Sequence, residues 1–168
     1  MNNLIITAIG SDRPGIVSEL SGIITTHGGN VEESRMSRLG SDFAIIMLVS
    51  VSTEWEESLG ITLQSINDLT ISTKHTQIQE IGDNKKYQIN LNGADNEGIV
   101  KVLSKYLAEK SINILEMETH ITQAPISGTP LFNLNASVSI PNDIEEKVIQ
   151  SGLSQIAQKL GVEIHLGN

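Results

Sequence analysis

Gly10-Ser11-Asp12-Arg13-Pro14-Gly15-Ile16-Val17 recurs 83 residues later as Gly93-Ala94-Asp95-Asn96-Glu97-Gly98-Ile99-Val100. Each copy sets two glycines and an aspartate at the mouth of an apolar helical pattern. Backbone N–H groups at a helix start have no partner in the preceding turn, so a small ligand can be held there. No second chemistry is legible. His27, His75, His120 and His165 are scattered without metal-ligand spacing, and there is no cysteine for a thiolate site or a nucleophile. Phosphate-loop, nucleophile-elbow and zinc-protease sequences do not occur. No residue is nominated for catalysis and no cofactor or metal is implied, so the expectation is a non-enzyme.

The repeat extends well beyond the two loops. At the same offset Leu20 matches Leu103, Ser21 matches Ser104, Asn30 matches Asn113 and Glu33 matches Glu116. Two copies of one small domain follow, over 1–80 and 85–168, with Ile81-Gly82-Asp83-Asn84 as a short polar linker.

The elements that must position the loops read alike in both copies. Leu4 to Ile9 is a short apolar run bounded by Gly10, the pattern of a buried strand. Asp12 or Arg13 is expected to cap a helix with Pro14 in its first turn. That helix carries the stripe Ile16, Val17, Leu20, Ile23 and Ile24, and His27-Gly28-Gly29-Asn30 ends it with a glycine free to turn left-handed. Val31 to Leu39 and Phe43 to Val51 read as strands around the turn Gly40-Ser41-Asp42. Thr53 with Glu56 forms a capping box for a helix bearing Trp55, Leu59, Leu63 and Ile66. Leu69 to Thr73 is the last strand.

In the second copy the strands are Tyr87–Leu91, Ile112–Ile121, Phe132–Ile140 and Val162–Ile164. Its helices are marked by Ile99, Leu103 and Leu107, and by Val148, Ile149, Ile156 and Leu160, the latter capped by Asn142 with Glu145. The order β-α-β-β-α-β is the ferredoxin-like arrangement, an α+β fold with an antiparallel sheet and both helices on one face.

The chain of 168 residues has a formal charge of −9 and 39% hydrophobic residues, the composition of a globular protein. Residues 1–80 hold 4 basic and 10 acidic side chains, and residues 81–168 hold 7 and 10. Neither half can neutralise a phosphate backbone, which argues against direct nucleic-acid binding and against an anionic membrane surface. The opening Met1-Asn2-Asn3 shows no signal peptide, and no apolar run approaches the ~20 residues of a membrane span. Together with the missing cysteines this fits a cytoplasmic protein.

Asp12-Arg13-Pro14-Gly15-Ile16-Val17 after a strand, then a helix, then Gly29-Asn30-Val31 opening the next strand, resembles an ACT domain. The resemblance covers the whole chain as two ACT copies. Among ACT proteins it is most similar to the group of glycine cleavage system transcriptional repressors. It implies regulation through an amino acid, with glycine or serine the first candidates, and through a protein partner such as a DNA-bound transcription activator. It also allows a homodimer. ACT ligands usually sit where the loop after the first strand of one unit meets a second unit. The implied ligand residues are Gly10, Asp12, Arg13, Gly15 and Asn30, with Gly93, Asp95, Gly98 and Asn113 in the second copy. Backbone amides would take the carboxylate, Asp12 the ammonium group, and Gly15 would let the ligand approach. Asn96 and Glu97 depart from the pattern, and Glu97 places a negative charge where the carboxylate would go.

The same residues have a purely structural reading. Asp12 caps a helix, the glycines make turns, and Asn30 and Asn113 take the left-handed conformation after a helix. On that reading the protein is an interaction module with no small-molecule site.

Overall fold

Leu4, Ile6 and Ala8 are buried while the residues between them are not, so the first strand turns one face to a core. The structure is a computed structural model that describes residues 1–78, 84–94, 97–125 and 127–167. The chain divides into two units, Met1–Glu80 and Ile81–Asn168.

The first unit runs β1 (Asn2–Ser11), α1 (Ile16–Thr26), β2 (Asn30–Leu39), β3 (Asp42–Val51), α2 (Thr53–Gln64) and β4 (Leu69–Thr76). Its antiparallel sheet has the order β2-β3-β1-β4. Leu20 and Ile24 of α1 and Leu59 and Leu63 of α2 close over Ile6, Met47 and Val49, so both helices cover one face. The second unit repeats this with β5 (Lys85–Ala94), α3 (Ile99–Glu109), β6 (Asn113–Gln123), β7 (Pro130–Ile140), α4 (Glu146–Leu160) and β8 (Val162–Gly167), in the order β6-β7-β5-β8. Leu103, Leu107, Ile149 and Leu153 cover Ile89, Leu134 and Val138. The α+β, twice ferredoxin-like architecture is as the sequence implied.

The helix starts differ from expectation. α1 begins at Ile16, behind Gly15 at φ 93° and ψ −7°, with no side-chain cap hydrogen bond. Asp12 and Arg13 therefore do not cap it, and Pro14 lies ahead of the helix rather than in its first turn. Gly15 itself holds the cap position, two to three residues beyond Asp12 and Arg13, and their side chains bond Arg38, and Asp68 with Glu19, instead. The capping box at Thr53 is absent too. α2 starts at Thr53 itself with Ser52 in the cap position, and Glu56 instead bonds Asn2 and His75. In α4 the Ile144 N–H donates to the Pro141 carbonyl, a turn that delays the helix to Glu146 and leaves Glu145, not Asn142, at its cap.

At the helix ends, Asn30 and Asn113 are not left-handed; they open β2 and β6. The left-handed residues are Gly28 at φ 66° and its counterpart Ser111 at φ 55°. In both places the last carbonyls are satisfied in the same way: Gly28 and Gly29 donate to Thr25 and Ile24, and Ser111 and Ile112 donate to Ala108 and Leu107.

Candidate functional site

The loop from β1 to α1 is fixed from three sides. The Asp12 N–H donates to the Ser41 carbonyl at 2.9 Å, which ties it to the β2–β3 turn. Asp12 Oδ2 lies 3.3 Å from Arg38 Nε. Arg13 reaches the other way. Its Nε and Nη2 meet Asp68 Oδ2 and Oδ1 at 2.5 and 3.3 Å, and Nη2 also meets Glu19 Oε2 at 2.5 Å. The hydrogen bonds from Asp68 and then Glu19 raise the guanidinium pKa further, and the Arg13 bonds hold the Asp68 carboxyl below its usual range.

Gly15 then starts α1 from the left-handed region. The N–H groups of Ile16, Val17 and Ser18 have no preceding turn to donate to, whereas Glu19 N–H is already bonded to the Gly15 carbonyl at 2.8 Å. A cavity of about 240 Å³ lies here, lined by Asp12, Arg13, Gly15, Ile16, Val17, Ser18 and Phe43. Its chemistry suits a small zwitterion: amide donors and a helix N-terminus for a carboxylate, Asp12 for an ammonium group, and Val17 and Phe43 for the carbon between.

Gly10 has a packing role. A Cβ there would stand 2.3 Å from the Asp68 carbonyl oxygen, because β1 meets the start of β4 at that residue. Gly93 does the same for β5 and β8, with a Cβ 2.5 Å from Val162 Cγ1.

Asn30 is not brought to this loop within its own unit. It pairs with Ser50, and Ser50 pairs with Asn3, whereas Gly10 pairs with Phe43. Seven residues of β1 separate the two rows, about 23 Å at the rise of a strand. Asn30 instead donates to Glu32 Oε1 at 3.1 Å, which also accepts from Ser50 Oγ, and the Ser50 bond followed by that of Asn30 holds the Glu32 pKa down. Asn113 is parted from Gly93 in the same way, by the rows of Ser139 and Phe132.

In the second unit Asp95 lies outside the described residues. Gly98 repeats Gly15, at φ 85° and ψ 8°. It borders a different cavity, about 540 Å³ between α3 and α4, lined in part by Lys101, Lys105 and Lys159.

The residues that sequence reasoning missed are Glu19, Arg38, Phe43 and Asp68. Asp68 had one indirect signal: it precedes the strand start that pairs with Gly10. Among the described residues no three His, Asp or Glu are grouped to hold a metal ion, and no helix is long and apolar enough to cross a membrane.

Residues 2–74 match the family model described as ACT domain. Over 164 residues the chain is 23% identical to the glycine cleavage system transcriptional repressor of Escherichia coli K12, covering 95% of this chain and 86% of that protein. It is 30% identical over 84 residues to a UPF0237 protein of Methanococcus maripaludis, 46% of this chain and 92% of the other. Among solved structures, an unknown protein from Galdieria sulphuraria superposes with a TM-score of 0.85 at 34% identity, covering 99% of this chain and 97% of that one. A crystal structure assigned to a glycine cleavage system transcriptional repressor gives a TM-score of 0.71 at 22% identity, with 99% and 96% covered, and shares the fold. With its first repeat matched by that model and its second built to the same strand order, the chain carries two ferredoxin-like ACT repeats in tandem.

Proposed function

We propose that this protein is an amino-acid-responsive regulator of the glycine cleavage repressor type, working in the cytoplasm through a protein partner and not as an enzyme. The observation that carries this reading is the cavity over the start of α1, where free amide donors, Asp12 and two apolar side chains converge in a volume suited to glycine or serine. The similarity to the E. coli repressor along nearly the whole chain supports the regulatory class. The acidic surface makes a DNA-bound transcription activator a better target than the DNA itself, since this chain repels phosphates.

Ligand binding to the folded state alone raises stability by RT ln(1 + [L]/Kd), about 2.7 kcal/mol at a hundredfold excess. Millimolar glycine or serine is therefore expected to raise the melting temperature. Asp12→Ala removes the ammonium partner and is expected to abolish the rise. Purified protein alone is expected to leave operator DNA unshifted in a gel at physiological salt. A second reading, an interaction module without a small-molecule site, is favoured by one feature: Arg13 is already held by two carboxylates, so it offers no spare charge to a ligand. If none of the twenty amino acids moves the melting temperature, that reading replaces the first.

A further inference from the structure

A groove runs between α3 and α4 on the helix side of the second unit. Two cavities make it up, of about 540 and about 400 Å³, and they share Tyr106, Gly152 and Gln155. Lys101, Lys105 and Lys159 line the first, and Lys110 and Lys147 line the second. All five are exposed. Among the described residues Glu109 is the one acidic group on the lining, and its Oε1 lies 3.8 Å from Lys105 Nζ. No other ion pair among the described residues engages these lysines. Five of the 11 basic side chains, in a chain of net charge −9, thus stand around one groove.

The fold does not call for them. Lys101 lies in the first turn of α3 and Lys147 in that of α4, at the positive ends of the helix dipoles. Lys101 and Lys105 are like charges one turn apart, which weakens a helix. The same positions of α1 hold Ser18 and Gly22, and α1 and α3 both run 11 residues. The lysines therefore answer to something outside the fold. Their charge is drawn out along the helices. Lys101 and Lys110 are separated by about 14 Å of helix axis. A lysine of α4 shares the cavity at each end of that row, Lys159 at one and Lys147 at the other. A lone phosphate is too compact to meet such a row, and a nucleic acid would run on over the acidic remainder of the chain. Between the lysines lie half-buried Tyr106 and Val102, and Val148 is 47% exposed. Carboxylates spaced along a short peptide, with an apolar side chain among them, match both features.

We propose that the groove between α3 and α4 docks an acidic segment of a partner protein. The lysines steer and align the segment, and Tyr106, Val102 and Val148 take its apolar side chain. This deepens, and rests on, the reading of a regulator that works through a protein partner. Peptide binding reads the groove and the ligand-induced melting shift reads the loop beside α1, so the two fail separately.

The test titrates the isotope-labelled full chain with a synthetic peptide of about sixteen residues, in repeats of Glu-Glu-Leu-Ala, and follows amide signals by NMR. Salt is held at about 0.15 M, where a Debye length of about 8 Å screens the distant carboxylates. The peptide is expected to shift signals of α3 and α4. Lys101→Gln/Lys105→Gln keeps helix propensity and is expected to weaken binding about tenfold. Lys85→Gln/Lys86→Gln on β5 changes the net charge equally and is expected to leave binding within about twofold. A matched peptide with Lys in place of Glu needs no variant and is expected not to bind the groove. Absence of α3 and α4 shifts at about 1 mM acidic peptide overturns the proposal. Equal loss from the two double variants, or equal binding of the basic peptide, overturns it too, since the groove would then not be selecting acidic chains. Tripolyphosphate or a single-stranded oligonucleotide binding there as tightly as the peptide overturns it in favour of a small-anion or nucleic-acid site.

Discussion

The two repeats agree inside and disagree outside. Their agreement reaches single dihedral angles. Gly15 and Gly98 begin the first helix of each copy from the left-handed region, and Gly28 and Ser111 end it there. Gly10 and Gly93 each yield to the strand that crosses them. The disagreement lies on every exposed layer. α1 and α2 carry Glu19, Glu54, Glu56 and Glu57 and no basic residue, whereas α3 and α4 carry Lys101, Lys105, Lys147 and Lys159 with Glu109 and Glu146. The open sheet face is apolar in the first copy and lined by asparagine in the second. Backbone turns and core volumes are dictated by the fold, so duplication preserves them. Surfaces answer to partners and ligands, so equal folds with unequal surfaces point to a division of labour.

If the interiors are equivalent, matched core truncations cost alike. Leu20 and Leu103 occupy the same place in the two copies and both are fully buried. Leu20→Ala and Leu103→Ala are each expected to destabilise by about 2–5 kcal/mol. Denaturant titration followed by a reporter in each unit checks this. Costs differing by more than about 2 kcal/mol would break the claim of equivalent interiors.

A sharper contrast comes from the single glycine in the second helix of each copy. A Cβ at Gly60 meets nothing within 4 Å, but one at Gly152 would stand 2.1 Å from the Tyr106 hydroxyl. Gly60→Ala is expected to stabilise by roughly 1 kcal/mol through helix propensity. Gly152→Ala must displace the Tyr106 ring and is expected to destabilise by about 1–3 kcal/mol. Thermal melts of the two variants should therefore move in opposite directions. Tyr106 stands where the first copy has Ile23, so this difference follows from one exchange of side chain.

Much of this was legible in the sequence, for a physical reason. The strand and helix patterns follow from apolar periodicity, and Leu20, Leu59, Leu103 and Leu107 are buried as the stripes require. Glycine-dependent turns were legible only in part. Gly28 was readable because glycine favours a left-handed helix end, but Ser111 does the same work without that signal. The expected cap of α1 is absent because Gly15 settles that helix start through its backbone, which a search for side-chain acceptors overlooks. The loop beside α1 was visible as a motif. Its electrostatics were not, because Arg13 and Asp68 are 55 residues apart and meet only through the pairing of Gly10 with Leu69. Asn30 enters the site only through the family resemblance, and within its own unit the register of β2 on β3 puts it at the other end of the sheet from the loop.

The smallest predicted effect concerns that same pair. In the second copy the position of Asp68 is held by Gly161, and Asn96 stands at the place of Arg13 in the sequence, so the pair belongs to the first copy alone. Its hydrogen bonds from Arg13 hold the Asp68 pKa below the ordinary value of 3.8 in the folded chain. A carboxyl with a depressed folded pKa contributes stability that is present above its unfolded pKa and is lost as pH falls through the folded one. The first unit is therefore expected to lose a small increment of stability below about pH 4 that the second unit does not lose at that position. Asp68 is exposed and Arg13 is half-exposed, so the increment is screened and is best read by titration rather than by melting. Carbon-detected NMR of the Asp68 carboxyl is expected to give a pKa below 3.8 in the wild type, returning towards 3.8 in Arg13→Gln. Glu19, the other partner of Arg13, then separates pairing from a general field effect. Glu19→Gln removes a competing acceptor and is expected to leave Asp68 depressed. An Asp68 titration unchanged by Arg13→Gln would mean that the loop is not held by this pair, and the strongest electrostatic difference between the two repeats would disappear with it.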